Sequence, residues 1–508
     1  MPNRGLGTFN NENASSSSQS LKEPFNSLGY KETISSRPVS FELLILILEK
    51  RSDVAMGMIE KDLGPSVPPP SKNSLLERLF KLSERNTNVR TELLAGLTSF
   101  LTMSYIIFVN PTILADAGIP KEAALAATIY ASVFCTILMA LWANYPVGVA
   151  PGMGLNAFFA YTVVLGHGLT WQTALGAVFI SGLLFLILTV TGIRQKIVDG
   201  VPDVLKSAIG VGIGLFIAFI GFSNAELIIA DEATTVALGD VTSLGPILAL
   251  IGFIIAAVLT AKKVKGALLI SILGTTVIAM ITGFVGFPKG IGDIVSFNLP
   301  SMSETFLAMD IKGAIAYGIL SVIFSFTIVE LFDNLGTLIG LTKKAGLVNE
   351  DGKIQNLDRA LQADSIGTMA SAAFGSTALN AYVENATGIQ EGGKTGLTAL
   401  TVGVLFLSAL FFAPLIVFVP SVATAPILIL VGALMLGEIK NISFDDFTDV
   451  IPVFLTIILM PLTYSIATGL AFGFISYTLL KLLTGKASQI HWIMYVVSAA
   501  FIINFIMG

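Results

Sequence analysis

Charge, cysteine and histidine are all scarce in this sequence. Only 12% of the 508 residues are charged, about half the share of an ordinary soluble domain. Over a chain this long, that scarcity excludes a soluble enzyme, a disordered protein and a nucleic-acid binder. The one cysteine, Cys135, excludes an internal disulfide framework and a Cys-cluster metal site. It lies in an apolar run, where a small buried thiol is the expected reading. His167 and His491 are the only histidines, too few for a His-based metal centre. No cofactor or metal is expected. No Ser-His-Asp, Cys-His or HExxH pattern occurs, so no enzyme is expected. The net charge of −5 is small and indicates no partner.

Apolar sequence is what the chain has in quantity. Hydrophobic residues make up 54%, and the mean hydropathy is +0.81. A bilayer-spanning helix needs roughly 20 apolar residues. Runs of that kind lie near 94–113, 123–143, 151–165, 171–192, 203–222, 244–260, 267–285, 312–333, 360–374, 378–390, 396–413, 424–437, 448–463 and 465–482. These are numbered spans 1 to 14. Spans 3, 9 and 10 are short and rich in Gly or small residues. A last apolar stretch, 491–507, reads either as a further span or as a helix lying in the interface. The fold class is therefore an all-α polytopic membrane protein with about 14 transmembrane segments.

The first 70 or so residues differ from the rest. They hold Ser15-Ser16-Ser17-Ser18, many Asn and Glu, and Pro68-Pro69-Pro70, a composition that cannot bury a core. The apolar patch from Phe41 to Leu48 is too short to span. No early apolar core with a small-residue cleavage site marks a secretory signal. Met56 and Met58 stand as alternative starts, so residues 1–57 read either as a regulatory tail or as a gene-start artefact. The expected layout is a disordered extension over 1–73 and an amphipathic cytoplasmic helix over 74–92. Two repeats follow over 93–308 (spans 1–7) and 309–483 (spans 8–14), then a C-terminal apolar segment over 484–508. The amphipathic helix rests on Leu75, Leu76, Leu79, Phe80 and Leu82 among Glu, Arg and Lys.

Positive charges favour the cytoplasmic side of a membrane. Arg194, Lys196 and Lys206 lie between spans 4 and 5, and Lys262, Lys263 and Lys265 between spans 6 and 7. Lys343, Lys344, Lys353 and Arg359 lie between spans 8 and 9, and Lys481 and Lys486 follow span 14. All fall on one side if the N-terminus is cytoplasmic. The opposite loop, Glu226–Asp240, is acidic and has no Lys or Arg.

Three landmarks suggest an internal repeat. Phe108-Val109-Asn110 resembles Phe332-Asp333-Asn334, Leu155-Asn156-Ala157-Phe158 resembles Leu379-Asn380-Ala381-Tyr382, and Pro202 matches Pro426. Asn110 and Asn334, Asn156 and Asn380, and the two prolines are each 224 residues apart. That step crosses seven spans, an odd number, so the halves are inverted relative to each other. The short spans 3 and 10 occupy matching places, the sequence signature of broken helices meeting at mid-membrane.

Carboxylates inside spans are costly and usually functional. Glu330, Asp333 and Glu384 stand out, and Glu330 and Asp333 share a helix face by their i, i+3 spacing. A carboxylate at that depth can exchange a proton and accept from ring N–H and amino groups; each could instead cap a helix or pair with a donor. Asn156 can donate to and accept from a heterocycle edge, or satisfy the freed backbone of a broken helix. Phe158 and Phe332 can stack on a flat ring or simply pack. Asn110 and Asn380 suit inter-helix hydrogen bonds. The Gly-rich run Gly388–Gly396 does not match a phosphate loop and reads as a cytoplasmic turn.

At these motifs the chain resembles the AzgA-like hypoxanthine/guanine/adenine permeases, a branch of the nucleobase/ascorbate transporter superfamily. The resemblance covers about Leu76 to Gly508. It is carried by Gly96–Pro111, Pro151-Gly152-Met153-Gly154-Leu155-Asn156-Ala157, Phe332-Asp333-Asn334-Leu335-Gly336-Thr337-Leu338, and Glu384-Asn385-Ala386-Thr387-Gly388 with Glu391–Thr398. It implies a 7+7 inverted repeat with core and gate domains, and a short strand beside a half-helix in spans 3 and 10. It also implies import of a purine nucleobase by proton symport across the cytoplasmic membrane. On that resemblance the substrate-binding candidates are Glu384, Asn156, Asp333, Phe158, Ala157, Val383 and Phe332, and the proton-coupling candidates are Asp333 and Glu330. The partners it implies are a purine nucleobase, protons and the lipid bilayer, with a homodimer by analogy to the wider superfamily. The stretch Gly375–Asn380 departs from the Thr/Ser-rich run expected before the span 10 carboxylate. Base preference therefore stays open, as do a same-fold carrier of uracil, xanthine or another solute and a non-transporting nucleobase receptor.

Overall fold

The structure is a computed structural model and describes residues 74–317, 322–349 and 353–507. The 1–73 extension lies outside the described residues. The helices, in chain order, are α1 Leu75–Phe80, α2 Val89–Met103, α3 Ile106–Asp116, α4 Lys121–Leu138, α5 Met153–Ala157, α6 Trp171–Val190, α7 Ile193–Asp199, α8 Asp203–Asn224, α9 Leu244–Ala261 and α10 Ala267–Ile281. After them come α11 Ile311–Tyr317, α12 Phe324–Lys344, α13 Leu357–Phe374, α14 Asn385–Gln390, α15 Gly396–Ala409, α16 Ala413–Val417, α17 Ser421–Met435, α18 Phe447–Leu462, α19 Ile466–Leu483 and α20 Trp492–Met507. Four short strands complete the set: β1 Val149–Pro151, β2 Ile228–Asp231, β3 Thr235–Leu238 and β4 Leu379–Ala381.

Nine helices among the described residues are long and apolar enough to cross a membrane, and four more are apolar but shorter. Three of those four, the small-residue helix α13 and the broken segment β4–α14 complete the fourteen spans. The fourth, α20, is the C-terminal stretch and packs against α19. Two bundles form. Helices α2, α4, α6 and α12–α15 pack on one another as a core. Helices α8–α10 and α17–α19 pack as a gate. In the gate, α8 and α17 touch through small residues: a Cβ on Gly214 would lie 2.9 Å from the Gly432 carbonyl oxygen. Such residues let transmembrane backbones approach closely.

Spans 3 and 10 break where the sequence is short and small. Each gives a three-residue strand, and β1 pairs antiparallel with β4, Ala150 opposite Asn380. An antiparallel pair joining corresponding segments fits two inverted halves. After β1 the chain forms α5 and then continues as a wider π-helix over Phe158–Gly166. The corresponding elements do not share the 224-residue offset. Val149 and Leu379, which open the two strands, are 230 residues apart. Pro202 and Pro420, which cap α8 and α17, are 218 apart, and Pro426 lies inside α17. Asn156 is helical and Asn380 is in a strand, so loops of unequal length separate the repeats.

Two expected helices have other bounds. The helix expected over 74–92 stops at Phe80, because Lys81 turns left-handed (φ 55°). Asn88 then caps α2 by accepting from the Thr91 N–H. Span 8, expected at 312–333, runs further: α11 covers Ile311–Tyr317 and α12 runs from Phe324 to Lys344. Glu330, Asp333, Asn334 and Thr337 lower the hydropathy past residue 333, yet the helix continues because these groups have partners inside the protein.

Lys481 is also not a loop residue. It lies in α19, 2% exposed, and bridges Asp446 at 3.0 Å and Asp449 at 2.8 Å. Lys486 reaches Asp446 at 2.7 Å. Lys486, then Thr448, then Lys481 hold the Asp446 carboxyl well below the usual carboxylate range.

The Gly-rich turn after α14 is fixed from inside. The Glu92 carboxylate accepts from the N–H groups of Lys394, Thr395 and Thr398 and from the Thr398 hydroxyl at 2.6 Å. Glu92→Ala would strand the N–H groups of Lys394 and Thr395. A buried unsatisfied donor costs about 1–3 kcal/mol. Detergent-solubilised E92A is therefore expected to melt well below the wild type, and an unchanged thermal midpoint would contradict this role for Glu92.

Candidate functional site

The crossing of β1 and β4 gathers the polar residues. Backbone polar groups left free by broken helices need partners, because lipid offers none. Asn385, which opens α14 and is fully buried, supplies them reciprocally: its Oδ1 accepts from Gly148 N–H at 2.8 Å and its Nδ2 donates to the Gly148 carbonyl at 2.8 Å. The Tyr382 hydroxyl donates to the Pro151 carbonyl at 2.6 Å, and Gly152 N–H to the Ala378 carbonyl at 3.0 Å. A Cβ on Gly152 would sit 2.6 Å from the Asn380 amide nitrogen, so only glycine lets that side chain cross the strand pair.

Asn380 then reaches α12, where its Nδ2 donates to the Asp333 carboxylate. The adjacent Asn334 accepts from the Ala381 N–H at 3.1 Å. Glu384 sits at the cap position of α14 but makes no capping bond there. Its Oε1 accepts from the Tyr105 hydroxyl at 2.7 Å, and that hydroxyl also lies 3.2 Å from the Met153 sulfur on α5. Tyr105 and Tyr382 face each other with ring centroids 6.3 Å apart. Both carboxylates, Glu384 and Asp333, lie within electrostatic reach of Tyr382.

The candidate residues divide into two groups. Glu384 and Asp333 are only half-buried and are bound by different donors, Tyr105 and Asn380. Asn156 is fully buried and accepts from the Thr377 hydroxyl, while its Nδ2 has no partner. Ala157 and Phe158 are buried beside it, and Phe158 packs edge-on against Phe326 at 4.9 Å. Phe332 packs against Phe474 of α19, across the boundary between the two bundles. Val383 is 60% exposed and makes the turn between Tyr382 and Glu384. A cavity of about 160 Å³ opens at Phe158, His167, Tyr317, Ser325 and Thr468. Neither Glu384 nor Asp333 lines it. Glu330 lies apart from the crossing, fully buried between Ser181 and Thr368.

Sequence reasoning missed several of these participants. Tyr105 lies inside a quoted motif, but its partner Glu384 is 279 residues away. Asn385 adjoins Glu384 and carries the tie to Gly148. Asp364 is a carboxylate within span 9, and that alone was a signal. Arg194 is not a loop cation: it is 1% exposed and lies 3.6 Å from Asp364.

Comparison with known proteins gives this arrangement its relatives. Residues 90–472 match the profile described as "Permease family" (Xan_ur_permease). The guanine/hypoxanthine permease PbuO of Bacillus subtilis is 44% identical over 434 residues, covering 84% of this chain and 99% of its own length. The adenine permease AdeQ of Escherichia coli is 42% identical over 437 residues, covering 86% and 97%. Among solved structures, the transmembrane domain of the cyanobacterial bicarbonate transporter BicA superposes with a TM-score of 0.55 at 16% identity, over 75% of this chain and 97% of that one. SLC26A9 superposes at 0.59 with 12% identity, over 90% and 73%. At such identities the structures show a shared fold and nothing of substrate. The sequence relatives cover nearly their whole lengths, and on that ground the chain belongs to the permease family, a family of multi-pass membrane transporters and not of enzymes.

Proposed function

We propose that the protein imports purine nucleobases (hypoxanthine, guanine and/or adenine) by proton symport across the cytoplasmic membrane. The observation that carries this reading is the pair of half-buried carboxylates at the crossed strands, Glu384 and Asp333, held by Tyr105 and Asn380. A purine edge offers ring N–H and amino donors, and a carboxylate accepts them without needing a cation nearby. An anion carrier would present cations or helix N-termini to its ligand instead. The named functions of the guanine/hypoxanthine and adenine permeases, at 42–44% identity, point to the same substrate class.

In this reading Glu384 binds the purine with Asp333 beside it, and the proton couples through Asp333 or Glu330. Asn156 acts from span 3, with Ala157, Phe158, Phe332 and Val383 shaping the space around the ring. Substrate and proton together neutralise and satisfy the buried carboxylates, which lowers the cost of closing core on gate. The remaining cytoplasmic-loop cations, Lys262, Lys263, Lys343 and Lys344, orient the N-terminus inward. A homodimer belongs to the proposal by analogy alone.

Tyr382→Phe removes the hydroxyl tie to Pro151 while keeping the ring, so KM for the purine is expected to rise a few-fold with the maximal rate retained. Phe158→Ala acts on affinity and also opens a hole beside Phe326. Phe→Ala in a packed core costs about 3–5 kcal/mol, so F158A is expected to lose thermal stability as well. Equilibrium binding of radiolabelled hypoxanthine, guanine and adenine to the purified protein tests the substrate class. Saturable binding of at least one base supports the reading. Binding of uracil or xanthine alone, or of no nucleobase, contradicts it.

A further inference from the structure

A second charged cluster lies in the core bundle, beside the crossed strands. Arg194 on α7 is 1% exposed. Its guanidinium lies 3.7 Å from the centre of the Phe185 ring and 3.6 Å from the Asp364 carboxylate on α13, which is also 1% exposed. Arg194 Nη1 donates to the Thr189 hydroxyl at 3.4 Å, and Asn334 of α12, whose Oδ1 accepts from the Ala381 N–H, lies against the Asp364 carboxylate. Glu330 on α12 completes the cluster, and the charges of Asp364 and Arg194 both act on it. It accepts from Ser181 Oγ at 3.3 Å on α6 and from Thr368 Oγ1 at 2.9 Å on α13. Cys135 on α4 is a further titratable group in reach of Asp364 and Glu330, and its thiol lies 3.6 Å from the Ala363 carbonyl.

The charges do not balance. Two carboxylates against one guanidinium leave a net negative charge, and one added proton brings the cluster to neutrality. An uncompensated buried charge is costly in a low-dielectric interior, so a bundle that moves through the membrane favours the neutral form. The cluster is also wired to β4. The Thr368 hydroxyl that donates to Glu330 accepts from the Leu379 N–H at 3.2 Å, and Leu379 opens that strand one residue before Asn380.

We propose that Glu330, Asp364 and Arg194 form the site of one coupling proton, separate from the purine site, and that Thr368 transmits its occupancy to β4. Arg194 is a positioning residue here: its fixed charge keeps the two carboxylates within one proton of neutrality. Protonation of Glu330 on Oε1 turns that acceptor into a donor, so the Thr368 hydroxyl facing it must reorient, and Thr368 carries that change to Leu379. The proposal rests on the proton-symport reading above and assigns the proton to a place.

Charge-changing variants test it. Asp364→Asn leaves one cation and one carboxylate, already neutral without a proton. D364N is expected to lose protonophore-sensitive accumulation and the pH dependence of uptake, while purine exchange across the membrane persists. Adding Arg194→Gln restores a single carboxylate that alternates between charged and neutral, so R194Q/D364N is expected to regain pH-dependent accumulation. D364N that accumulates purine with the wild-type pH profile would overturn the proposal. So would a double variant that reaches the membrane yet behaves like D364N. If neither variant reaches the membrane, the wild type itself carries the test through Cys135, the sole thiol. Its infrared S–H stretching band is expected to shift over the pH range in which uptake changes; a band constant over that range overturns the cluster's role. Wild-type purine uptake indifferent to a protonophore would overturn the cluster and leave a purine permease standing. Absence of any purine uptake or binding would overturn the proposed function itself.

Discussion

Glu384→Gln is expected to leave the protein folded in the membrane and to reduce purine uptake to background. The substitution keeps the length of the side chain and an oxygen to accept from the Tyr105 hydroxyl, now at 2.7 Å. The core around it therefore has no reason to rearrange. What disappears is the negative charge and one of two acceptor oxygens, replaced by an NH₂ that confronts the donors of a purine edge. A hydrogen bond to a charged group contributes about 1.5–3 kcal/mol, which corresponds to roughly 10- to 100-fold in affinity. An NH₂ facing N–H groups adds repulsion to that loss. Glu384→Asp keeps the charge but withdraws it by one methylene, so its uptake is expected to fall between the two. Radiolabelled uptake, with the amount of protein in the membrane measured in parallel, reads the effect. Wild-type kinetics in E384Q would remove Glu384 from the site.

Asn385→Ala is expected to have an effect of similar size by a different route. The side chain makes three hydrogen bonds, with the Gly148 N–H, the Gly148 carbonyl and the Tyr382 carbonyl, each at 2.8 Å. It is the clamp between the chain entering β1 and the half-helix that follows β4. Alanine leaves the Gly148 N–H and carbonyl unpartnered in a buried region, while the Tyr382 carbonyl keeps the backbone N–H of residue 385 at 3.1 Å. Each orphaned buried group costs about 1–3 kcal/mol, comparable in sum to a large share of a typical protein's stability. N385A is expected to show a sharply lower thermal midpoint and loss of uptake of more than about tenfold, since 1.4 kcal/mol already corresponds to about that factor. Asn385→Asp keeps an acceptor for Gly148 N–H but sets a carboxylate against two carbonyls, so it is not expected to rescue. Normal melting and normal uptake in N385A would show that the strand pair is held by other means.

The spans were legible in the sequence because a bilayer demands long apolar runs, and nearly every run became a helix at the expected place. The two broken spans were legible for the opposite reason: 151–165 and 378–390 are too short and too rich in small residues to cross intact. The register between the halves was not. A single offset pairs Asn156 with Asn380, but one side chain projects from a half-helix and the other from a strand, since insertions in the loops shift each element separately. The polar candidates Glu384, Asp333, Glu330 and Asn156 stood out because a polar group in an apolar run is conspicuous. Most of their partners did not, because Tyr105, Thr377 and Thr368 are ordinary residues until the fold brings them close. Arg194 shows the limit most clearly. Two residues beyond the end of an apolar run it looks like any loop cation, and only a partner 170 residues away, Asp364, explains why it is buried.

Uptake of radiolabelled hypoxanthine, guanine and adenine by purine-transport-deficient cells expressing this chain, with and without a protonophore, tests the account most directly. Saturable uptake of at least one of the three bases is expected, driven above equilibrium and abolished by the protonophore. No uptake of any purine, with the protein verified in the membrane, would contradict it.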